Sequence, residues 1–119
     1  MTQPDRRIHP LEVVATFGEA WANHDLDAAL ALVTDDCVFD NTSPAPDGSR
    51  YVGRDELRNA WRPIFDDETT RFEQEEAFSV DDRVVQLWRY TWSNGHVRGV
   101  DVYRVRGEKV SEKLSYVKG

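Results

Sequence analysis

The chain has 119 residues, a length typical of one domain with a single hydrophobic core. Hydrophobic residues make up 39% of the chain, enough apolar surface to argue against wholesale disorder. The formal net charge of −7 repels phosphate backbones and anionic lipid, so we expect neither nucleic acid nor a membrane surface as a partner.

A single cysteine, Cys37, cannot form an intrachain disulfide, which indicates a reducing compartment. We expect it to be a small buried side chain rather than a reactive thiol. The start of the chain is polar and lacks the apolar stretch of a signal peptide, which predicts a cytoplasmic protein. The histidines are scattered without the spacing of metal ligands, so no metal and no other cofactor is expected.

Apolar residues at three- and four-residue steps predict an amphipathic helix from Pro10 to Asn23. Asp25 has the position of an N-cap for a second, short helix that runs through Val33. The same periodicity returns from Arg54 to Phe65, although Pro63 must end or kink the last turn of this third helix. The first part of the chain is therefore predicted to supply helices.

Short runs of β-branched and aromatic residues predict the strands. The first is expected at Cys37–Phe39, ending at Asp40 and Asn41, and a loop broken by prolines and glycines follows from Thr42 to Gly53. The period then changes to two, which predicts four strands at Arg71–Val80, Arg83–Ser93, His96–Arg106 and Lys109–Val117. Helices followed by such a meander indicate an α+β domain with helices on one face of a curved sheet.

Two sets of side chains alternate along the strand predicted at 83–93. The aromatic set is Trp88, Tyr90 and Trp92. The other set is Leu87, Arg89 and Thr91. Because an aromatic stripe left in water is unfavourable, we predict that the aromatic set lies on the outer face of the sheet and forms a homodimer interface.

Several segments, in their order along the chain, resemble the NTF2-like superfamily, specifically its SnoaL-like and ketosteroid-isomerase-like branch. They are Asn23–Ala28, Thr34–Phe39, Val52–Leu57, Gly99–Val105 and Gly107–Val110. The resemblance implies one domain over residues 1–119, with three N-terminal helices on a curved, mixed but mostly antiparallel sheet. It also implies a cone-shaped fold with a pocket between the helices and the concave face of the sheet.

Similarity to the ketosteroid isomerases implies positions for a base and two oxyanion donors, which hold Asn41, Phe17 and Asp101 in this sequence. Only Asp101 has a usable group, because an amide takes up no proton near neutral pH and a phenyl ring donates no hydrogen bond. The sequence therefore argues against steroid isomerisation. Asp40 would supply the base only if the first strand slipped by one residue.

Similarity to epoxide hydrolases of the limonene type implies another set of residues. Asn41 and Arg89 agree with it, but its two acids fall on Thr91 and Ser115. A carboxylate of Asp101 paired with Arg89 is then the candidate for orienting or activating water.

The predicted site has Asp101, Asn41 and Arg89 as its catalytic residues. Its substrate-binding wall is expected to consist of Phe17, Trp21, Phe39, Trp61, Phe65, Leu87, Thr91, Tyr103, Lys113 and Ser115. Such a largely aromatic pocket with a charged floor suits a small apolar molecule.

Two functions follow from this pocket. One is a cofactor-independent isomerase, cyclase or hydrolase. The other is a non-catalytic ligand-binding or dimerisation module, in which Arg89, Asp101 and Lys113 form an ion network that only satisfies itself.

Overall fold

The computed structural model describes residues 8–118, which form three helices and six strands. The helices are α1 (Pro10–Ala22), α2 (Leu26–Ala31) and α3 (Arg54–Asp66). The strands are β1 (Val33–Asp40), β2 (Arg50–Val52), β3 (Arg71–Val80), β4 (Arg83–Trp92), β5 (Gly95–Arg106) and β6 (Lys109–Val117). Each helix within residues 8–118 falls short of the length and apolarity that crossing a bilayer requires.

All six strands belong to one sheet, in the order β2-β1-β6-β5-β4-β3. The pairing of β1 with β6 is parallel and every other pairing is antiparallel. The helices pack on one face of this curved sheet and bury the core between the two layers. The predicted α+β fold with a mixed, mostly antiparallel sheet is confirmed.

The predicted bounds of β3 and β6 are confirmed residue for residue, and most other elements differ by one or two residues at an end. The larger differences are in β1, which is longer than the predicted Cys37–Phe39, and in β2. Val33 begins β1 instead of ending α2, because it pairs with Val110 of the distant β6. A short strand, β2, lies inside the predicted loop and pairs with Val38–Asp40 of β1. Both differences come from pairing between distant segments, which the local pattern of residues does not contain.

His9 and Glu12 cap the start of α1. Nδ1 of His9 accepts a hydrogen bond from the N–H of Leu11 at 3.0 Å, and the Glu12 carboxylate accepts one from the N–H of His9 at 3.3 Å. Pro10 follows in the first helical position, where its missing N–H leaves no bond unmade. The cap fixes the residue at which α1 starts. The face of α1 that packs on the sheet includes the buried Phe17.

His24, in the link between α1 and α2, connects the helices to the segment that follows α3. Its Nδ1 lies 2.9 Å from the carbonyl oxygen of Phe65, and its Nε2 lies 2.9 Å from that of Thr70. A neutral imidazole has one N–H, so both contacts are hydrogen bonds only when the ring is protonated. His24 is therefore a structural residue rather than part of the cavity described below.

We expect His24→Ala to lower the free energy of unfolding by about 1–3 kcal/mol, because at least one of the two carbonyls that the ring contacts loses its donor. Histidine adopts the φ of 56° at this position more readily than alanine does, so backbone strain adds to the loss of the ring. Urea denaturation measures the change, with His96→Ala at an exposed position as the control. Equal free energies of unfolding for the two variants would show that the imidazole ring of His24 does not stabilise the fold.

Candidate functional site

A cavity of about 270 Å³ lies between the helices and the concave face of the sheet. Its apolar wall consists of Trp21, Phe39, Ile64, Phe72, Trp88, Tyr90 and Val97. Its polar residues are Asn41, Thr42, Ser43, Asp101, Lys113 and Ser115. The volume is slightly below the roughly 300 Å³ from which pockets for drug-sized ligands begin, so the cavity suits a small molecule.

Asp101, on β5, is completely buried at the floor of this cavity. Its Oδ2 accepts a hydrogen bond from the Tyr103 hydroxyl at 3.0 Å and lies 3.1 Å from Nζ of Lys113. Its Oδ1 is also buried and has no hydrogen-bond partner among residues 8–118. Because buried oxygens in folded proteins nearly always have a donor, Oδ1 is the atom of this carboxylate whose hydrogen-bonding capacity is unused.

Lys113, on β6, is 5% exposed, which is unusual for a lysine. Besides Asp101, its ammonium group contacts Oγ of Ser115 at 3.0 Å. It also lies 4.8 Å from the ring centroid of Trp21 and 4.9 Å from that of Phe39. The ion pair, the hydroxyl and the two rings together compensate for the loss of water around the charge.

Tyr103, predicted as a substrate-binding residue, is 2% exposed and lies behind the floor of the cavity rather than in its lining. Burial, followed by the nearby charge of Asp101, raises the pKa of the Tyr103 hydroxyl well above its ordinary value. The hydroxyl therefore keeps its proton at neutral pH and donates it to Oδ2. An edge-on contact with Phe17, with ring centroids 5.8 Å apart, fixes the phenol ring.

Asn41 follows the last residue of β1 and lines the cavity near its mouth. Its side-chain Oδ1 accepts a hydrogen bond from the N–H of Thr42 at 2.7 Å, and its own N–H donates to the carbonyl of Ser49 at 2.8 Å. The side-chain NH₂ is therefore the group that Asn41 has left for a ligand. The structure brings Asn41 and Asp101 to the same cavity, as the sequence predicts.

An outer hollow of about 410 Å³ adjoins the cavity. The two share Asn41, Thr42 and Ser115 in their walls.

The prediction that Leu87, Arg89 and Thr91 line the inner face is wrong. Gln86 stands opposite Asp101 in the register of β4 and β5, so even-numbered residues of β4 share the face of Asp101. Residues that alternate with them lie on the outer face. Arg89 is thus separated from Asp101 by the sheet itself.

The reason is the two-residue turn between β4 and β5, across which Trp92 pairs with Gly95. Across such a turn, each even-numbered residue of β4 stands opposite an odd-numbered residue of β5. The assumption that odd-numbered residues of β4 share the face of Asp101 therefore assigned every residue of β4 to the wrong face. The outer guanidinium of Arg89 lies 3.3 Å from Nε2 of His96. The length of the turn between β4 and β5 is the feature of the sequence that indicates which residues of β4 face the cavity.

Trp88 and Tyr90 consequently face the cavity, so the prediction that they form an outer dimer surface is also wrong. Trp92 has the same parity and packs against Tyr90 with ring centroids 6.3 Å apart. The aromatic stripe of β4 avoids water by packing inside, and it requires no partner chain.

Phe17, Trp61 and Phe65, predicted as substrate-binding residues, lie in the core behind the cavity wall. Their exposed fractions are 0%, 0% and 5%. They pack where α1 meets α3, and Trp21 covers them, with ring centroids 5.3 Å from Trp61 and 4.6 Å from Phe65. They hold Trp21 in position but do not line the cavity.

Cys37 is a fully buried residue of β1, as predicted. Burial raises the pKa of its thiol to about 12. The thiol is therefore protonated at neutral pH and unreactive.

Comparison with known proteins agrees with this architecture. The family model of the SnoaL-like domain matches residues 13–113. An NTF2-like protein of unknown function from Mesorhizobium loti is 38% identical, with a TM-score of 0.85, over 99% of this chain and 98% of that one. No curated protein matches the sequence significantly.

Two further solved structures are similar. A computationally designed 17-OHP binder is 27% identical, with a TM-score of 0.76, over 92% of this chain and 91% of that one. A provisionally named polyketide cyclase from Xanthomonas campestris pv. campestris is 20% identical, with a TM-score of 0.73, over 92% of this chain and 90% of that one. The second likeness is one of fold alone.

We expect Gly99→Ala to displace Trp88 from the cavity wall and to destabilise the chain by about 1–3 kcal/mol. A Cβ at Gly99 would lie 2.2 Å from the carbonyl oxygen of Tyr116 and 2.6 Å from the Trp88 ring. Thermal unfolding and the tryptophan emission spectrum measure the two effects. The control is Gly107→Asn, where no atom lies within 4 Å and asparagine tolerates the φ of +66°. An unchanged emission maximum in Gly99→Ala would contradict this prediction.

Proposed function

We infer, from the premise that the chain belongs to the SnoaL-like domain family, that its cavity binds a small, mostly apolar molecule with a carbonyl or hydroxyl group next to Asp101. The observation that carries this proposal is the unpaired Oδ1 of a fully buried carboxylate in a cavity with an aromatic wall. In such sites the apolar wall supplies most of the affinity, and a few polar atoms fix the orientation of the ligand.

Acid–base chemistry at a carbon beside a carbonyl, as in an isomerase, cyclase or hydrolase without a cofactor, suits these groups. Oδ1 of Asp101 is the atom that takes up a proton, because Oδ2 already has two donors. The Lys113 ammonium and the Asn41 amide are donors for the oxygen on which negative charge develops. Lys113, and not Arg89 as the sequence predicts, is the cation paired with Asp101.

A non-catalytic binding module is the second candidate. Asp101 is the one carboxylate among the described residues of the cavity wall, so a separate acid and base are not both available as carboxyl groups. The designed 17-OHP binder, a similar structure, supports a binding role for the same fold.

The two candidates differ in what happens to the protons of a bound ketone. We expect 1-indanone to quench tryptophan fluorescence, because Trp21 and Trp88 line the cavity. In deuterated buffer, proton NMR should then show that the hydrogens on the carbon beside the carbonyl exchange for deuterium faster with the protein than without it. Asp101→Asn should slow this exchange by about 10²–10⁴-fold, the usual contribution of an acid–base group. Glu76→Gln, on an exposed residue, is the matched control.

Quenching without accelerated exchange would support the binding module over the enzyme. Exchange that survives in a folded Asp101→Asn variant would exclude Asp101 as the base. Absence of saturable quenching by any small cyclic ketone or alcohol would overturn the proposed function altogether.

The partner that we propose for this chain is a second copy of it, joined through the outer face of the sheet. The strand register places two rows of apolar residues on that face. One row runs from β3 to β6 and consists of Phe78, Val85, Val102 and Leu114. The other runs from β4 to β6 and consists of Leu87, Val100 and Tyr116. Tyr116 is 57% exposed and Phe78 is 48% exposed. An uncovered patch of this kind is typical of an interface, and a twofold axis brings the same rows of two copies together.

We expect the chain to elute as a dimer in size-exclusion chromatography with light scattering at micromolar concentration. Val102→Glu should yield a folded monomer, because it places a charge in the middle of the apolar rows. Thr91→Glu, on the same face but outside the rows, is the matched control. A monomeric parent chain would refute the interface.

A further inference from the structure

The amino group of Lys113 is a nucleophile in a place where lysine is rarely found. It lines the aromatic cavity and its side chain is 7% exposed. The two other lysines of the chain, Lys109 and Lys118, are both exposed. Buried amines in apolar pockets with a neighbouring proton acceptor are the ones that react with carbonyl compounds.

Every contact of this amino group favours a positive charge at Nζ. Asp101 supplies a carboxylate at 3.1 Å, and the rings of Trp21 and Phe39 lie 4.8 and 4.9 Å away. The oxygen of Ser115, at 3.0 Å, accepts a hydrogen bond from it. A cation other than ammonium, if it is centred on the same nitrogen, keeps the ionic and ring contacts, although it donates fewer hydrogen bonds.

We propose that Lys113 forms an imine with an aldehyde or ketone bound in the cavity. The inference rests on the proposed function, because the carbonyl compound must first occupy that cavity. It adds a covalent step that the family resemblance does not imply and that simple binding does not require. The protonated imine, or iminium ion, is a cation on Nζ, so it keeps the ion pair and the ring contacts of the ammonium.

The groups for each proton transfer are present. The ammonium of Lys113 gives one proton to the carboxylate of Asp101, and the free amine adds to the carbonyl carbon. The proton on nitrogen moves to the former carbonyl oxygen, which yields a neutral carbinolamine. The carboxyl of Asp101 then returns its proton to the departing hydroxyl, so that the C–O bond breaks, water leaves and a C=N⁺ bond forms. Overall, an ammonium and a carbonyl compound give an iminium ion and water, and no oxidant or reductant is consumed.

Reductive trapping tests the proposal on the intact chain. Benzaldehyde, small enough for the inner cavity, is incubated with the protein, and sodium borohydride then reduces any imine to a stable secondary amine. Intact-mass measurement counts the adducts, and peptide mapping assigns them among the three lysines and the N-terminal amine. We expect one dominant adduct, on Lys113, in at least about tenfold excess over Lys109 and Lys118.

Two variants distinguish the reactivity of the Lys113 amine from the effect of its positive charge. Lys113→Arg keeps a cation beside Asp101 but has no reactive amine, so it should lose the dominant adduct. Lys109→Arg, on the same strand but exposed, should keep it. If Lys113→Arg does not fold, the peptide map of the parent chain decides by itself, because it compares three lysines in one sample.

Fluorescence titration with benzaldehyde, without borohydride, separates the failure of this inference from the failure of the proposed function. Saturable quenching with adducts only on the exposed amines would overturn the imine and leave the proposed binding intact. Neither quenching nor a Lys113 adduct would overturn both. An adduct confined to Lys113, lost in Lys113→Arg, supports both.

Discussion

The interior of this protein depends on the buried ion pair between Asp101 of β5 and Lys113 of β6. Removing two charges from water costs several kcal/mol for each ion unless close partners compensate. Tyr103 and Ser115 provide hydrogen bonds, and the ring of Trp21 provides a further contact with the ammonium. Because the pair joins two neighbouring central strands, a shift of one strand along the other would leave a bare charge in the core. The contact therefore fixes the register as well as the chemistry of the cavity.

A β-bulge makes this pair possible. Val105 pairs with Val110 near the turn, but Arg104 pairs with Glu112, so Ser111 is the extra residue on β6. Ser111 is 7% exposed and its hydroxyl donates to the carbonyl of Arg104 at 3.2 Å. If the same sequence formed an unbroken ladder without the bulge, Glu112 would stand opposite Tyr103, and Lys113 would lie on the outer face of the sheet. The bulge at Ser111 thus decides whether the amino group of Lys113 lies at the floor of the cavity.

The site predicted from sequence is partly the site in the structure. Asn41, Asp101 and Lys113 meet in the cavity as expected, because each was assigned to a face of β1, β5 or β6 that the structure bears out. The position of Arg89 was wrong because parity on β4 depends on the turn that precedes β5, and Trp88 takes its place on the inner face. The aromatic residues of α1 and α3 were predicted as cavity wall, but only Trp21 lines the cavity, because an apolar pattern does not separate a cavity wall from the core behind it.

The sequence by itself determined the three helices and the four long strands that follow them, since local periodicity and turn residues carry that information. The inward position of Asp101 was implied by the family resemblance and not by periodicity. Tertiary structure alone decided that residues 50–52 pair as a strand and that one oxygen of Asp101 has no partner within residues 8–118. These outcomes depend on contacts between segments far apart in the chain. A local pattern gives the period of a strand, but the turn, the bulge and the neighbouring strand select the side on which each residue lies.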